Sequence, residues 1–568
     1  MTASALNGDS LTGRNADAEF ILGAADQYVS VNTFDFSNFE ILNGGTAADI
    51  FRIQTSHTNT LNGGAGDDRF ILSAGAVLTG AINGGAGNDA VDFSALAART
   101  VSLTGIGSVD GFNGSDTAIT GGFSNINQLE GTVGTDTLVG ANLAATFELD
   151  GTDRYIVGSN TLSFSSFENL TGGSAVDTFA FNGTYNFTGT LNGAGGTDWL
   201  DYTAYGAAVH YNQQTGVITG LTGTFSAIEG LRGSASTSDL ITGADTGTTF
   251  NMTGAGQGNL NGTFSFTSIE NLAGGSGSDT LNYSGYASAV TMNMQTGTIT
   301  GLLSFTAIEL VNGSANSDTI VARDSGSIFV VNAANAVSVD GQNFTSFENL
   351  TGAAGNDTFQ LTGSGSLSGV VNGNAGTDLL TYNGYGSAVS INLQTMTATG
   401  LPAGFVSIET MAGSAYSDTI TGPNATSNYQ ITGTNSGTAA GISFTSIENL
   451  TGGSGNDVFA FQTGGTLSGN LNGAAGTDMI DFSTYSVGVT VNLLTGTAST
   501  VGGSVSGVEN IQGSMFNDTL VGDNNANIIN AIGGVDVISG NGGNDRFIFP
   551  AGSFFSGVLA GGAGSDQA

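Results

Sequence analysis

Residues 444–461 read FTSIENLTGGSGNDVFAF, and nearly the same phrase stands at 344–361 (FTSFENLTGAAGNDTFQL), 266–283 (FTSIENLAGGSGSDTLNY) and 164–181 (FSSFENLTGGSAVDTFAF). A returning phrase constrains the fold more than length does, because a unit of about 20–50 residues cannot bury a core alone and must stack on its neighbours. Length alone, 568 residues, would suggest several globular domains. The repetition points instead to one continuous solenoid. Two periods are nested: Glu309, Glu409 and Glu509 lie 100 residues apart, while Asp357, Asp378, Asp418, Asp457, Asp478 and Asp518 are separated by 21, 40, 39, 21 and 40. These gaps predict a coil of about 20 residues and a long repeat of five coils. Glu270 and Glu348 are only 78 apart, as if one coil after Asp279 were deleted.

The coil has strand character. Runs such as VTVNL (489–493), VSINL (389–393) and VTMNM (290–294) alternate apolar and polar residues. Clusters of Gly, Asn, Asp and Ser separate them and read as turns. In FTSIENL the apolar residues fall at every third position, so the backbone must bend there. No capped amphipathic helix is visible. Stacked parallel strands would place Phe, Ile and Leu in internal columns. Four regions differ in rhythm: 1–110 with closely spaced repeats (Asp49, Asp68, Asp89), 111–160 irregular, 161–520 with the long repeats, and 521–568 with a tighter nine-residue beat. No linker separates them.

The charge is lopsided: 46 acidic residues against 8 basic ones, all Arg, give a net charge of −38. That balance disfavours nucleic acid and anionic membrane as partners, both of which need basic patches, and favours divalent cations. Disorder is not expected, since 34 Phe and many β-branched residues supply a core. There is no Cys for a disulfide scaffold, no apolar run long enough to span a membrane, and no recognisable cleavable leader at the start. The C-terminal GGAGSDQA stops inside a repeat, as in a piece of a longer chain.

Four stretches fit the pattern G-G-x-G-x-D-x-U-x, where U is apolar: GGAGDDRFI (63–71), GGAGNDAVD (84–92), GGSGSDTLN (274–282) and GGSGNDVFA (452–460). The run 522–548, GDNNANIINAIGGVDVISGNGGNDRFI, holds three such units in tandem. Gly admits the backbone conformations of a tight turn, Asp supplies a hard anionic oxygen, and calcium takes six to eight such oxygens from carboxylates and carbonyls. These residues resemble the calcium-binding repeats-in-toxin family of haemolysin-type and large bacterial adhesin proteins. The resemblance implies an all-β, right-handed parallel β-solenoid of the β-helix or β-roll kind, with Ca2+ held between turns of successive coils. Carried over residue by residue, the expected metal ligands are Asp68, Asp89, Asp177, Asp198, Asp279, Asp357, Asp378, Asp457, Asp478, Asp536, Asp545 and Asp566. Asp68 with Asp89, and Asp457 with Asp478, would form adjacent half-sites. Without an ion, carboxylates stacked about 4.8 Å apart repel, by roughly 3.5 kcal/mol per pair at an effective dielectric of 20. Cation binding is then expected to be part of the folding free energy.

The chain also departs from the family pattern. GSASTSD (233–239), GSANSD (313–318), GSAYSD (413–418) and GSMFND (513–518) lack the fourth-position Gly, and their aspartates are expected to cap turns by accepting backbone N–H bonds. Glu40, Glu168, Glu270, Glu309, Glu348, Glu409, Glu448 and Glu509 each stand nine residues before an aspartate, half a coil away, and Glu229 ten; they too are expected to hold turn N–H groups. Asn212, Asn293, Asn392 and Asn492 recur after strands and predict an amide ladder.

Catalysis finds little footing, with two separated histidines (His57, His210), no Cys, no Lys and scattered Arg. The chain is expected not to be an enzyme; a β-helix polysaccharide lyase is the remote alternative. The main expectation is a calcium-stiffened stalk or repeat region of a secreted or cell-surface bacterial protein, adhesin-like. The alternative is a self-assembling surface-layer or filament subunit. Partners are then calcium ions, together with further copies of the chain or a cell-surface or glycan ligand. The resemblance implies export through a type I secretion channel to an extracellular or surface location.

Overall fold

The computed structural model describes residues 1–3, 8–549 and 557–568, so the tandem run 522–548 is described in full while 550–556 of the C-terminal region 521–568 lies outside the described residues. All its regular structure is short β-strand, with no helix among the described residues. The strands obey the two-residue alternation that predicted them: Ala18–Leu22 and Asp177–Phe181 bury every second residue, and each Asn-Leu-Thr strand buries its Leu between two half-exposed neighbours. The chain divides into two compact units, residues 1–280 with 301–308, and 281–300 with 309–568.

Each unit is a two-faced parallel solenoid. In the first, face A stacks Ala18–Leu22, Asp49–Ile53, Arg69–Leu72 and Ala90–Asp92 in parallel register. Face B stacks Ser10–Thr12, Ile41–Gly45, Thr60–Ala65 and Ile82–Ala86. In the second, face A runs Thr358–Leu361, Leu379–Thr381 and Thr410–Ala412, and face B runs Thr419–Thr421, Asn449–Thr451 and Leu471–Asn472. Turns carrying the chain from face B to face A line one edge, here edge I; turns from A to B line edge II.

Like residues stack on like, as expected of the core. Phe20, Phe51 and Phe70 form a column with ring centroids 4.7 and 4.9 Å apart; Phe147–Phe179, Phe329–Phe359 and Phe461–Phe482 repeat it at 4.9, 5.0 and 5.1 Å. These spacings equal one strand separation, so the columns rise with the ladder. The bend predicted in FTSIENL is present. Ser446 and its counterparts Ser166, Ser268 and Ser346 sit at φ of 54–58°, the left-handed region, and the following Ile or Phe turns inward and is buried.

The coil is less uniform than the 20-residue grid predicts. Plain coils are 19 residues from Asp49 to Asp68 and 21 elsewhere, as from Asp357 to Asp378, while the steps from Asp518 to Asp536 and from Asn527 to Asp545 are 18. Others take about 30, because the chain doubles back into a three-stranded antiparallel meander before moving on. Asn428–Gly433, Ser436–Ala439 and Ile442–Thr445 form one on face A; its outer strands pair in parallel with Val458–Phe461 and Thr410–Ala412. Doubled-back segments alternate between faces. In the first unit they are meanders, at 18–36 (A), 100–126 (B), 145–165 (A), 210–226 (B) and 249–267 (A); in the second, meanders at 328–345 (A) and 428–445 (A) alternate with segments on face B at 390–406 and 490–506. In those two, the first two strands form an antiparallel hairpin and the third pairs in parallel with the preceding coil. The expected five coils per long repeat are therefore fewer coils with two doubled-back segments. The 40-residue steps are not two coils on one column: Asp378 lies on edge I and Asp418 on edge II.

The Asn residues of the strand ends also differ from expectation. The Oδ1 of Asn293 accepts N–H bonds from Gln295 and Thr296, Asn392 does so from Gln394 and Thr395, and Asn212 and Asn492 from Thr215 and Thr495. They close the hairpin turns of doubled-back face-B segments, a local Asx bond that outcompetes a ladder. Amide contacts between coils occur elsewhere, as from Asn62 Nδ2 to Asn43 Oδ1.

Candidate metal-binding edge

Each turn aspartate hangs inward from its turn and reaches the coil before it. Asp49 N–H donates to Asp68 Oδ1 and Asp68 N–H to Asp89 Oδ1, at 2.7 and 2.8 Å. The same bond joins Asp177 to Asp198, Asp357 to Asp378 and Asp457 to Asp478, each at 2.7 Å, and Asp545 to Asp566 at 3.0 Å. Where a doubled-back segment follows, a glutamate takes over: Asp198, Asp378 and Asp478 donate to Glu229, Glu409 and Glu509 on edge I, and Asp136, Asp318 and Asp418 to Glu168, Glu348 and Glu448 on edge II, all at 2.8 Å. The glutamates thus hold turn donors, as the sequence suggests. They belong to the aspartate columns, which sequence spacing did not reveal.

The first Gly of each turn makes room for this inward carboxylate. A Cβ on Gly63 would collide with Asp68 Oδ2 and with the carbonyl oxygen of Gly84 in the next coil; Gly172 stands likewise against Asp177 and Gly193, and Gly540 against Asp545 and Gly561. A carboxylate oxygen and a main-chain carbonyl are thereby turned toward the same point.

Eleven of the twelve expected ligands lie on edge I; only Asp536 lies on edge II. On edge I the carboxylates are poorly satisfied. Asp68, Asp89, Asp198, Asp378, Asp478 and Asp545 each bury an Oδ2 with no hydrogen-bond partner, Asp177 an Oδ1, and Asp49, absent from the expected set, both oxygens. All are at most 2 % exposed. Asp279, Asp357 and Asp457 fare better, their Oδ2 accepting the N–H of Gly275, Ala353 and Gly453. Burial, reinforced by neighbouring carboxylates, pushes Asp68 up to about 7 and Asp49, Asp89, Asp177 and Asp478 up to about 6. Asp198, Asp357, Asp378, Asp536 and Asp545 are raised for the same first reason.

Edge II solves the problem within the chain. Ser234, Ser314, Ser414 and Ser514, second residues of the departing turns, donate their hydroxyls to Asp239, Asp318, Asp418 and Asp518 at 2.8–2.9 Å. Each of these carboxylates also accepts the serine N–H and the N–H of a valine from the preceding coil: Val209, Val290, Val389 and Val489, at 2.6–2.8 Å. No oxygen of these four is left bare. Among the described residues, the one bare acid at an edge II corner is Glu270, through Oε2.

No group of three His, Cys, Asp or Glu side chains converges among the described residues. A cation on edge I would therefore draw on paired carboxylates and glycine carbonyls, an all-oxygen set suited to a hard ion. Arginines are engaged on the faces, Arg232 with Asp201 at 2.9 Å and stacked on Trp199, Arg69 with Asp92 at 2.7 Å and with Glu130. His57 meets Asp26 at 2.9 Å. Neither a search of protein-family models nor one of curated protein sequences finds a match to this chain.

Proposed function

We propose that this solenoid is a calcium-binding, calcium-stiffened repeat region of a secreted or cell-surface bacterial protein, with a stalk-like, adhesin-type role. The observation that carries the reading is the file of buried edge I carboxylates with oxygens that no donor meets. A buried, unpaired carboxylate costs more than a buried hydrogen bond returns, and a protein keeps a column of them only where something positive answers it. Calcium fits the oxygen-only donors, and the resemblance to repeats-in-toxin proteins agrees. Titration of the chelator-treated chain with calcium, followed by circular dichroism and calorimetry, tests it: cooperative gain of β-signal and thermal stability is expected. Equal order before and after exhaustive chelation would overturn it.

A second reading, self-assembly, is favoured by the distribution of charge. In the second unit no face-B strand contains a charged residue, and face A carries only Asp481 and Arg546. In so acidic a chain such neutral faces are where two copies could meet once the edges are neutralised. Sedimentation with calcium distinguishes the two: single particles favour the stalk, fibres or lattices the subunit.

A further inference from the structure

Resting on the cation reading above, we propose that the second residue of each turn selects whether that turn takes a cation. On edge I this residue stands in the left-handed region in the turns of Asp68 (Gly64, φ 112°), Asp89 (Gly85, 108°), Asp198 (Ala194, 66°), Asp378 (Asn374, 63°), Asp478 (Ala474, 74°) and Asp545 (Asn541, 69°). These, together with the turn of Asp49 (Gly45, φ 152°), are the turns whose aspartate has a bare Oδ2. Where the second residue keeps a negative φ, its N–H swings onto Oδ2, as Gly173 does to Asp177 at 2.6 Å and Gly453 to Asp457 at 2.8 Å. Of these two aspartates, Asp177 keeps a bare oxygen only on the Oδ1 side, which the second residue does not serve. A left-handed second residue turns its N–H away, and none of those residues has a hydroxyl to compensate.

The edge II serines reverse both conditions. Ser234, Ser314, Ser414 and Ser514 are not left-handed, so each donates through N–H and Oγ together. Two donors from one residue leave the carboxylate no bare oxygen to offer an ion. Backbone handedness and side-chain type at one position thus separate cation-taking turns from self-sufficient ones, within a chain that uses the same inward aspartate for both. The second residue acts on the ion through the aspartate, as a positioning residue.

Hydrogen–deuterium exchange of the full chain, in calcium and in chelator, tests the selector turn by turn. At a hundredfold excess over Kd, calcium is expected to slow exchange at 373–378 and 473–478 roughly a hundredfold. The turns 413–418 and 513–518 are expected to slow at least about tenfold less, gaining only what calcium adds to the stability of the chain as a whole, since they bind no ion themselves. Equal slowing on both edges would overturn the selector and leave the cation reading standing; no slowing anywhere would sink both. The variant Ser414→Gly removes the hydroxyl and admits the left-handed form. Exchange at 413–418 is then expected to quicken in chelator and to be restored by calcium. An unchanged turn, or one that calcium does not restore, overturns the proposal, and the wild-type comparison does not depend on how well the variant folds.

Discussion

The two edges of this solenoid carry the same buried aspartate at the same place in the turn, and treat it differently. On edge II, Asp418 collects three donors from its own chain; on edge I, Asp478 keeps one oxygen without any. A turn carboxylate therefore does not by itself signal a metal. What matters is whether the turn supplies the donors that burial demands. Asn527 on edge I makes the point from a third side: an amide stands in the aspartate position, and its Nδ2 donates to the carbonyl oxygen of Glu509 in the coil before at 2.8 Å. Hydroxyl and amide both satisfy within the chain what the edge I carboxylates leave bare.

The contrast between edges should show first in pH. For Asp68, Asp49, Asp89, Asp177 and Asp478 the folded pKa of about 6–7 lies above the unfolded value of about 3.9. The native state then binds more protons between these limits, so the metal-free chain should lose stability as pH rises from about 4 through 7. Thermal unfolding in chelator at stepped pH checks the slope, and calcium, replacing protons, should flatten or reverse it. A metal-free chain most stable above pH 7 would contradict the edge I assignment. Next in size, Gly63→Ala and Gly413→Ala drive a methyl into Asp68 and Asp418 respectively. Each should cost about 1–3 kcal/mol or more in denaturant unfolding, alike on both edges, because the inward carboxylate is the shared feature.

Asparagine substitutions should separate what glycine does not. Asp478→Asn is expected to stabilise the chelated chain at pH 8 by about 1 kcal/mol and to weaken it in calcium. Asp418→Asn should destabilise in both conditions, since three donors would lose a charged acceptor. Equal effects from the two variants would erase the distinction. The smallest effect belongs to the surface ion pairs: Arg323→Ala, in an edge I turn without an acid at the aspartate position, breaks an exposed pair with Asp340 at 3.3 Å and should change stability by less than about 1 kcal/mol, with or without calcium.

Much of this was legible in the residues. Period-two strands, inward Phe columns, the bend at Ser446 and the placing of the aspartates in turns all follow from local pattern, because burial imposes a repeat of two and stacking makes each coil copy the last; that the carboxylates face inward does not. The meanders were not legible. Strands of two to four residues, such as Thr397–Ala398 and Ser436–Ala439, carry too few alternations to reveal their direction, so a doubled-back segment of about 30 residues passes for one and a half coils. That miscount put Asp378 and Asp418 on one grid and hid the division between edges. Asp49 was missed because GGTAAD lacks the fourth Gly, though its carboxylate is as deeply buried as those of the complete turns. The Ser–Asp pairing lies within one turn, four or five residues apart, and its signal, GSxxSD, was present; only the coordinates showed that the hydroxyl turns toward the carboxylate.

The alternation of doubled-back segments has a mechanical consequence. Each one adds two strands to its own wall and none to the opposite wall, a length difference of about 10 Å. Placing the next one on the other wall cancels it, so both walls of a long repeat grow to equal height. A chain relieved of residues 393–404 by a short splice would keep its edges, its columns and its turns, yet one wall would outgrow the other and the stack would have to curve. Periodicity on such a molecule sets direction as well as length.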